Sequence, residues 1–297
     1  TGKQYPIFSR KKESLEAKEE ILFDVNEMAK GFDYYQLGGL TISENNKLAV
    51  FATDIVSRRQ YTLRIKHLET GEIYEDVIEN TTGSAVWAND NRTIFYAKKD
   101  PVTLRSERIF RHVLGTSASE DIEVYHEKED TFGTYVSKTK SNKYIIIGSY
   151  STLSTEAQFL EADNPTGSFQ MLQAREKDLE YSVSHYENDF YLLTNKDNAI
   201  NFKLMKTPVD QTEKEHWVDV IPHRADTLLE DFSIFKEYLI LEERNNGLNK
   251  IRIRRWDLSE DYYLPFSEET YSVGVYENPE FDTVRIRYSY NTLTTPA

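Results

Sequence analysis

The sequence contains no cysteine. That excludes disulfides, Cys-ligated zinc, iron–sulfur clusters and a cysteine nucleophile together. It leaves the compartment open, because cytosolic and periplasmic proteins can both lack the residue. Glycine and proline are scarce, 12 and 8 of 297 residues, which rules out collagen-like and linker-like chains. Positive charge is also short: 36 Lys and Arg against 50 Asp and Glu give a formal net charge of −14. Such a surface does not neutralise phosphates, so nucleic acid is not an expected partner. No apolar run approaches the ~20 residues of a membrane span, and no membrane partner is expected. The longest are short pieces such as Tyr144-Ile145-Ile146-Ile147. His67, His112, His126, His185, His216 and His223 are the only histidines, and no pair has the i, i+4 spacing of a helical zinc site. No metal or cofactor is therefore expected. The opening Thr1-Gly2-Lys3-Gln4-Tyr5-Pro6 carries neither an initiator Met nor the apolar region of a signal peptide, so the chain reads as cut from something longer.

What is present is a core. Hydrophobic residues make up 39%, with 20 Tyr and 15 Phe, too many for intrinsic disorder. These residues fall into a repeat. Short β-rich runs start at Leu48, Ile94, Tyr144, Phe190, Tyr238 and Val284, in steps of 46, 50, 46, 48 and 46 residues. Polar turns precede them, for example Glu44-Asn45-Asn46-Lys47, Asn89-Asp90-Asn91-Arg92 and Ser141-Asn142-Lys143. Asn and Asp suit turns because they tolerate left-handed backbone and bond it locally. A second ladder keeps phase, centred on Leu63, Ile109, Phe159, Leu204 and Ile251. The unit is four short strands in about 47 residues, the size of a β-propeller blade. One blade cannot bury both its faces, so blades stack around an axis.

The expected fold is all-β: a seven-bladed β-propeller with four-stranded blades, the first and last incomplete. The units are a half-blade at 1–39, full blades at 40–84, 85–132, 133–180, 181–230 and 231–270, and a half-blade at 271–297. The half-blades hold strands Tyr5–Ser9 and Ile21–Asp24 at one end, Tyr271–Glu277 and Val284–Tyr290 at the other. Joining the halves into one composite blade would give six. One helix is expected: Asp24-Val25-Asn26-Glu27 has the form of a capping box, and Gly31 stops the helix after about one and a half turns.

Catalytic motifs are missing. No Gly-x-Ser-x-Gly elbow and no Gly-rich phosphate loop occurs. Gly115-Thr116-Ser117 and Gly148-Ser149-Tyr150 read as turns with no helix after them. Trp87, Trp217 and Trp256 sit at different points of their units, read as strand positions that pack the core. Glu19-Glu20 and Glu242-Glu243 are adjacent, so strand geometry turns each pair to opposite faces and makes no acid–base dyad.

Antiparallel blades place two-to-three loops and blade-to-blade connections on one face. Asp33, in the connection entering the first full blade, therefore shares a face with Asp54, Arg58 and Arg59 of the next two-to-three loop. Here the sequence resembles the oligopeptidase B (protease II) group of the prolyl oligopeptidase family. The resemblance runs from Tyr34-Tyr35-Gln36-Leu37-Gly38-Gly39-Leu40 through Ser57-Arg58-Arg59-Gln60-Tyr61 and Leu68-Glu69-Thr70-Gly71. It continues at Val86-Trp87-Ala88-Asn89-Asp90, Arg111-His112-Val113-Leu114-Gly115-Thr116 and Glu180-Tyr181-Ser182-Val183, and ends at Tyr288-Ser289-Tyr290-Asn291-Thr292-Leu293-Thr294-Thr295-Pro296. It implies a serine peptidase cutting short peptides after Lys or Arg, whose propeller caps an α/β-hydrolase catalytic domain beyond Ala297. The expected partners are that domain and short basic peptides. No catalytic residue lies in this chain, and the chain alone is expected to be inactive. The resemblance implies polar contacts near the interdomain face for Asp33 and Arg59, and Arg58 beside them is a further interdomain candidate; relatives often carry Glu where Asp33 stands. A cytoplasmic location is expected, with a periplasmic one left open. The rival reading is a free-standing propeller scaffold for protein interaction, against which the clipped end blades argue, because they leave strand edges unpaired. A propeller enzyme with its own pocket, a glycosidase or lactonase, lacks any metal-ligand or paired-acid constellation here.

Overall fold

The computed structural model describes residues 2–294, and within them the fold is all-β with antiparallel pairing throughout. Strands β1 (Ile7–Lys11) and β2 (Glu19–Asp24) form a two-stranded sheet, followed by a single-turn helix α1 (Val25–Met28). A seven-stranded sheet comes next: β3 (Gln36–Ile42), β4 (Leu48–Asp54), β5 (Tyr61–His67), β6 (Ile73–Trp87), β7 (Thr93–Lys99), β8 (Ser106–Val113) and β9 (Ile122–His126). Three four-stranded sheets follow in chain order. They are β10 (Gly133–Lys138), β11 (Tyr144–Tyr150), β12 (Thr155–Glu161) and β13 (Gln170–Gln173); then β14 (Tyr181–Tyr186), β15 (Asp189–Thr194), β16 (Lys203–Pro208) and β17 (Val218–Ile221); then β18 (Thr227–Ile234), β19 (Tyr238–Asn245), β20 (Leu248–Arg255) and β21 (Asp261–Tyr263). A last pair, β22 (Ser272–Val275) and β23 (Tyr288–Asn291), closes the described chain. Two compact units result. The first runs to Lys138 and takes in Ile147–Ser149 and Leu160–Phe169; the second holds Thr139–Ile146, Tyr150–Phe159 and the chain from Gln170 onward.

Five of the six runs of the first ladder are strands of the structure: β4, β11, β15 and β19 are the second strands of their sheets, and β7 is the fifth of the seven-stranded sheet. They read as solid apolar runs because both of their faces are buried. In the first unit, Leu48, Val50 and Ala52 point into one cluster with Leu63, Ile65, Trp87, Ile94 and Tyr96, while Ala49 and Phe51 point the other way, against Leu22 and Phe23 of β2. The period of two therefore divides one strand between two cores. In the second unit, Phe190 and Leu192 face Phe159 and Leu172, whereas Tyr191 and Leu193 face Leu239 and Leu241.

The turns repeat atom for atom. In the turns 43–48, 88–93 and 139–144, the first residue's N–H donates to the carbonyl of the last (Ser43 to Leu48, Ala88 to Thr93, Thr139 to Tyr144). The fourth residue is Asn46, Asn91 or Asn142, each with φ between 55° and 60°. Asparagine tolerates this left-handed backbone better than most residues. Asn91 Oδ1 also accepts from the N–H of Asn45, tying two successive turns together at 2.8 Å.

Several expectations need correction. No break separates the first two units of the repeat, because β6 is one strand of fifteen residues serving both: Thr81 pairs with Tyr61 on one side and Lys98 on the other. Gly83 makes this possible. Its φ is +91°, and a Cβ there would stand 2.8 Å from the Tyr61 ring, while its carbonyl oxygen fills the place of a Cβ on Gly39. The run at Val284 is not a strand; β23 begins four residues later, at Tyr288. Asn278 takes over the ladder there: its side-chain oxygen accepts from Arg287 N, and its amide donates to the carbonyls of Tyr276 and Arg287. Thr1 and residues 295–297 of the expected half-blades lie outside the described residues.

Asp24 caps α1 through the N–H of Asn26 rather than Glu27, which pairs instead with Lys30, so no capping box forms, and the helix ends before Gly31. Gly148-Ser149-Tyr150 belongs to β11, and Ser117 starts a short 3-10 turn (Ala118–Glu120) with a capping box. Trp217 and Trp256 lie just outside strands. All three tryptophans still pack in cores, each donating its indole N–H to a backbone carbonyl: Thr41, Thr212 and Phe235 respectively.

Candidate functional site

Three exposed charges, Asp33, Arg58 and Arg59, are the residues that the sequence singled out. The first unit positions all of them. The side chain of Asn26, in α1, is stapled to both backbone groups of Tyr5, and this anchors the helix that feeds residues 32–35. Asp24 beside it is held down at about 2, first by the hydrogen bond with Asn26 and then by Lys3. Asp33 follows in an exposed loop.

The opposite wall is the loop 55–60, and Asp54 builds it. Asp54 ends β4, is only 1% exposed, and accepts from the N–H groups of Val56 (2.9 Å) and Arg59 (2.7 Å). These bonds hold Ser57 and Arg59 at φ of 60° and 54°, a conformation that costs energy without such support. Lys99 Nζ donates to the Arg59 carbonyl at 2.6 Å. Burial lowers the Lys99 ammonium, and the Arg59 guanidinium lowers it further. Burial raises the Tyr61 hydroxyl, with the Asp54 carboxylate adding to it.

The connection and the loop do meet. They wall an open groove of about 570 Å³, to which residues 28–35 give Met28, Phe32 and Tyr35, and the loop gives Ile55, Val56 and Gln60. The floor comes from Phe51, Thr53, Thr62 and Arg64. Phe32, Ile55 and Val56 stay about half exposed at its rim. Asp33, Arg58 and Arg59 do not line it, and among the described residues no hydrogen bond or ion pair joins Asp33 to either arginine. The groove was not legible in the sequence, because it forms between segments about 25 residues apart. The only signal was the shared face.

Among the described residues no group of three or more His, Asp and Glu side chains could hold a metal ion. Among the described residues no helix is long and apolar enough to cross a membrane. A buried polar cluster centres on His112. His112 is fully buried between two carboxylates, with Nδ1 2.6 Å from Asp121 and Nε2 2.8 Å from Asp76. Tyr96 Oη donates to Asp121 and Gly115 N to Asp76. Burial alone would lower this imidazole, but the two carboxylates outweigh it and raise it above its ordinary value. Glu243, also buried, accepts from Tyr263 Oη at 2.5 Å and faces Arg224, while its neighbour Glu242 points the other way and accepts from Val275 N.

The comparisons place this architecture. The chain is 40% identical to dipeptidyl aminopeptidase BI of Pseudoxanthomonas mexicana, over 100% of its own length and 43% of that protein. It is 30% identical to protease 2 of Moraxella lacunata, over 99% of its length and again 43% of the relative. The oligopeptidase B structure from Leishmania major superposes with a TM-score of 0.91 at 26% identity, covering 99% of this chain and 43% of that one. Oligopeptidase B from Trypanosoma brucei, in a closed form with covalently bound antipain, superposes at 0.86 with 25% identity, covering 94% of this chain and 40% of that one. The chain thus spans less than half the length of the relatives it matches. The family described as "Prolyl oligopeptidase, N-terminal beta-propeller domain" matches residues 1–297, and the chain belongs to it.

Proposed function

We propose that this domain is the access-controlling part of a serine oligopeptidase whose nucleophile, base and acid lie in a separate α/β-hydrolase domain. The observation that carries the reading is the match of the whole chain to 43% of each of two peptidases. In this reading the propeller has seven blades, and the missing strands of the end blades lie outside this chain. Asp33, Arg58 and Arg59 offer exposed charges to the catalytic domain, with the apolar rim of Phe32, Ile55 and Val56 beside them. The face alternates between contact and release as substrate enters. Substrates are short peptides cut after Lys or Arg, and the net charge of −14 draws them in.

The 40% identity to a dipeptidyl aminopeptidase favours a second specificity, release of dipeptides from a free amino terminus. One experiment separates the two. The whole protein is assayed on amino-blocked Arg and Lys reporter peptides and on dipeptide reporters with free amines. Cleavage of the blocked peptides supports the first reading, and activity confined to free-amine dipeptides replaces it with the second.

A further inference from the structure

The groove of the first unit holds a cation with no partner. Strand alternation puts it there. Leu63 and Ile65 of β5 turn into the core with Val50 and Ala52 of β4. Thr62 and Arg64 therefore turn the other way, directly opposite Thr53 and Phe51 in the ladder. Arg64 is half-buried, and among the described residues no carboxylate or carbonyl bonds its guanidinium. The other half-buried arginines among the described residues each have such a partner, as Arg10 has Glu20 and Arg111 has the Pro165 carbonyl. Glu79 also lines the groove, but it is exposed and forms no ion pair with Arg64.

A second donor stands beside the guanidinium. Tyr35 is only 7% exposed and lines the groove, yet its hydroxyl has no hydrogen-bond partner among the described residues. Burial raises this hydroxyl, with the nearby Arg64 charge pulling the other way, so it stays a neutral donor. Thr53, Gln60 and Thr62 line the same space with polar side chains that bond nothing else among the described residues. Phe32, Ile55, Val56 and Ile73 supply apolar wall. A volume of about 570 Å³ with a few convergent polar groups between apolar walls is the makeup of a ligand site. The charge selects the ligand: a planar guanidinium fork matches a carboxylate, and the neutral polar groups beside it match amides.

We propose that this groove holds the carboxyl terminus of a short peptide ending in a large apolar residue. Arg64 takes the carboxylate, with the Tyr35 hydroxyl beside it, and the apolar wall takes the last side chain. The choice of a peptide over another apolar acid rests on the peptidase reading.

The test is calorimetric titration of the purified 297-residue chain with three probes at one pH: acetyl-Gly-Gly-Phe, its carboxyl-terminal amide, and 3-phenylpropionate. Charge-assisted hydrogen bonds of this kind are worth roughly tenfold to a hundredfold in affinity. The acid peptide should therefore bind at least about tenfold more tightly than its amide. It should also outbind 3-phenylpropionate, which lacks the amides. Arg64→Leu, checked for folding by circular dichroism, should bind acid and amide alike, and Arg64→Lys should keep part of the preference. Equal affinity for acid and amide in the parent chain overturns the proposal, as does failure of the acid peptide to bind at millimolar concentration. So does a preference for the acid that survives in folded Arg64→Leu. Phenylpropionate binding as tightly as the peptide replaces the peptide terminus with a free apolar acid. Binding is read on a chain that needs no catalytic domain, and hydrolysis by the whole protein is measured apart, so either reading can fail alone.

Discussion

Replacing His112 with Asn removes an imidazole that bridges two buried carboxylates. The side chains of His112, Asp76 and Asp121 are 0%, 3% and 2% exposed, so water does not take over the lost bonds. Breaking a buried pair by removing one partner costs about 3–5 kcal/mol, because the remaining charge is left uncompensated. Two carboxylates are orphaned here, but each retains a donor: Gly115 N on Asp76 and Tyr96 Oη on Asp121. The middle of that range, about 4 kcal/mol, is therefore expected at pH 6. For a chain of this size this corresponds to a fall in Tm of roughly 10 °C. The pH profile is the sharper readout. The folded state raises the His112 pKa above the ordinary 6.5. Its contribution is therefore complete below 6.5 and is lost as pH rises through the higher folded value. Thermal unfolding followed by circular dichroism between pH 5 and 9 should show His112→Asn least different from the parent at the alkaline end. A loss below 1 kcal/mol at pH 6, or a difference that grows with pH, would refute the charged clamp.

His185 behaves with the opposite sign. Burial, helped by Lys143, depresses it from 6.5 to about 4. Stability is then complete above 6.5 and falls by about 3 kcal/mol as pH drops to 4, so His185→Phe should flatten that acid limb in the same unfolding scans. Gly83→Ala forces a Cβ onto backbone at φ +91° and against the Tyr61 ring, and denaturant titration should register a loss of about 2 kcal/mol or more. Asp54→Ala leaves the N–H groups of Val56 and Arg59 without their acceptor. The loop 55–60 should loosen, and limited trypsin digestion should cut at Arg58 and Arg59 at least several-fold faster than in the parent, with about 1–3 kcal/mol lost globally.

Much of this architecture could be read in the sequence because its physics is local. Strands buried on both faces must be apolar at every position, so Leu48–Ala52 and Phe190–Leu193 stand out as solid runs. The turns before them need left-handed residues, so Asn46, Asn91 and Asn142 mark the period. What escaped was tertiary. The continuity of β6 depends on Gly83 fitting against Tyr61 and Gly39, partners 22 and 44 residues away. The His112 clamp draws Asp76 from another strand 36 residues away, and nothing in the spacing announces it. The end of the repeat was misplaced because one side chain, Asn278, occupies backbone ladder positions that a pattern of apolar residues does not reveal. At the candidate site the two segments that wall the groove, 28–35 and 55–60, could be picked out from the alternation of antiparallel strands. The sequence did not show that Asp54 is the organiser or that apolar residues, rather than Asp33, Arg58 and Arg59, line the groove.

The central claim is that this chain gates chemistry done elsewhere. The most direct measurement uses the purified 297-residue chain. It is incubated with Arg- and Lys-linked reporter peptides and with a fluorophosphonate that labels activated serines, with the whole protein as a positive control. The account predicts no hydrolysis and no covalent label on the chain, and both on the whole protein. Stoichiometric labelling of a serine within residues 1–297, accompanied by turnover, would contradict it.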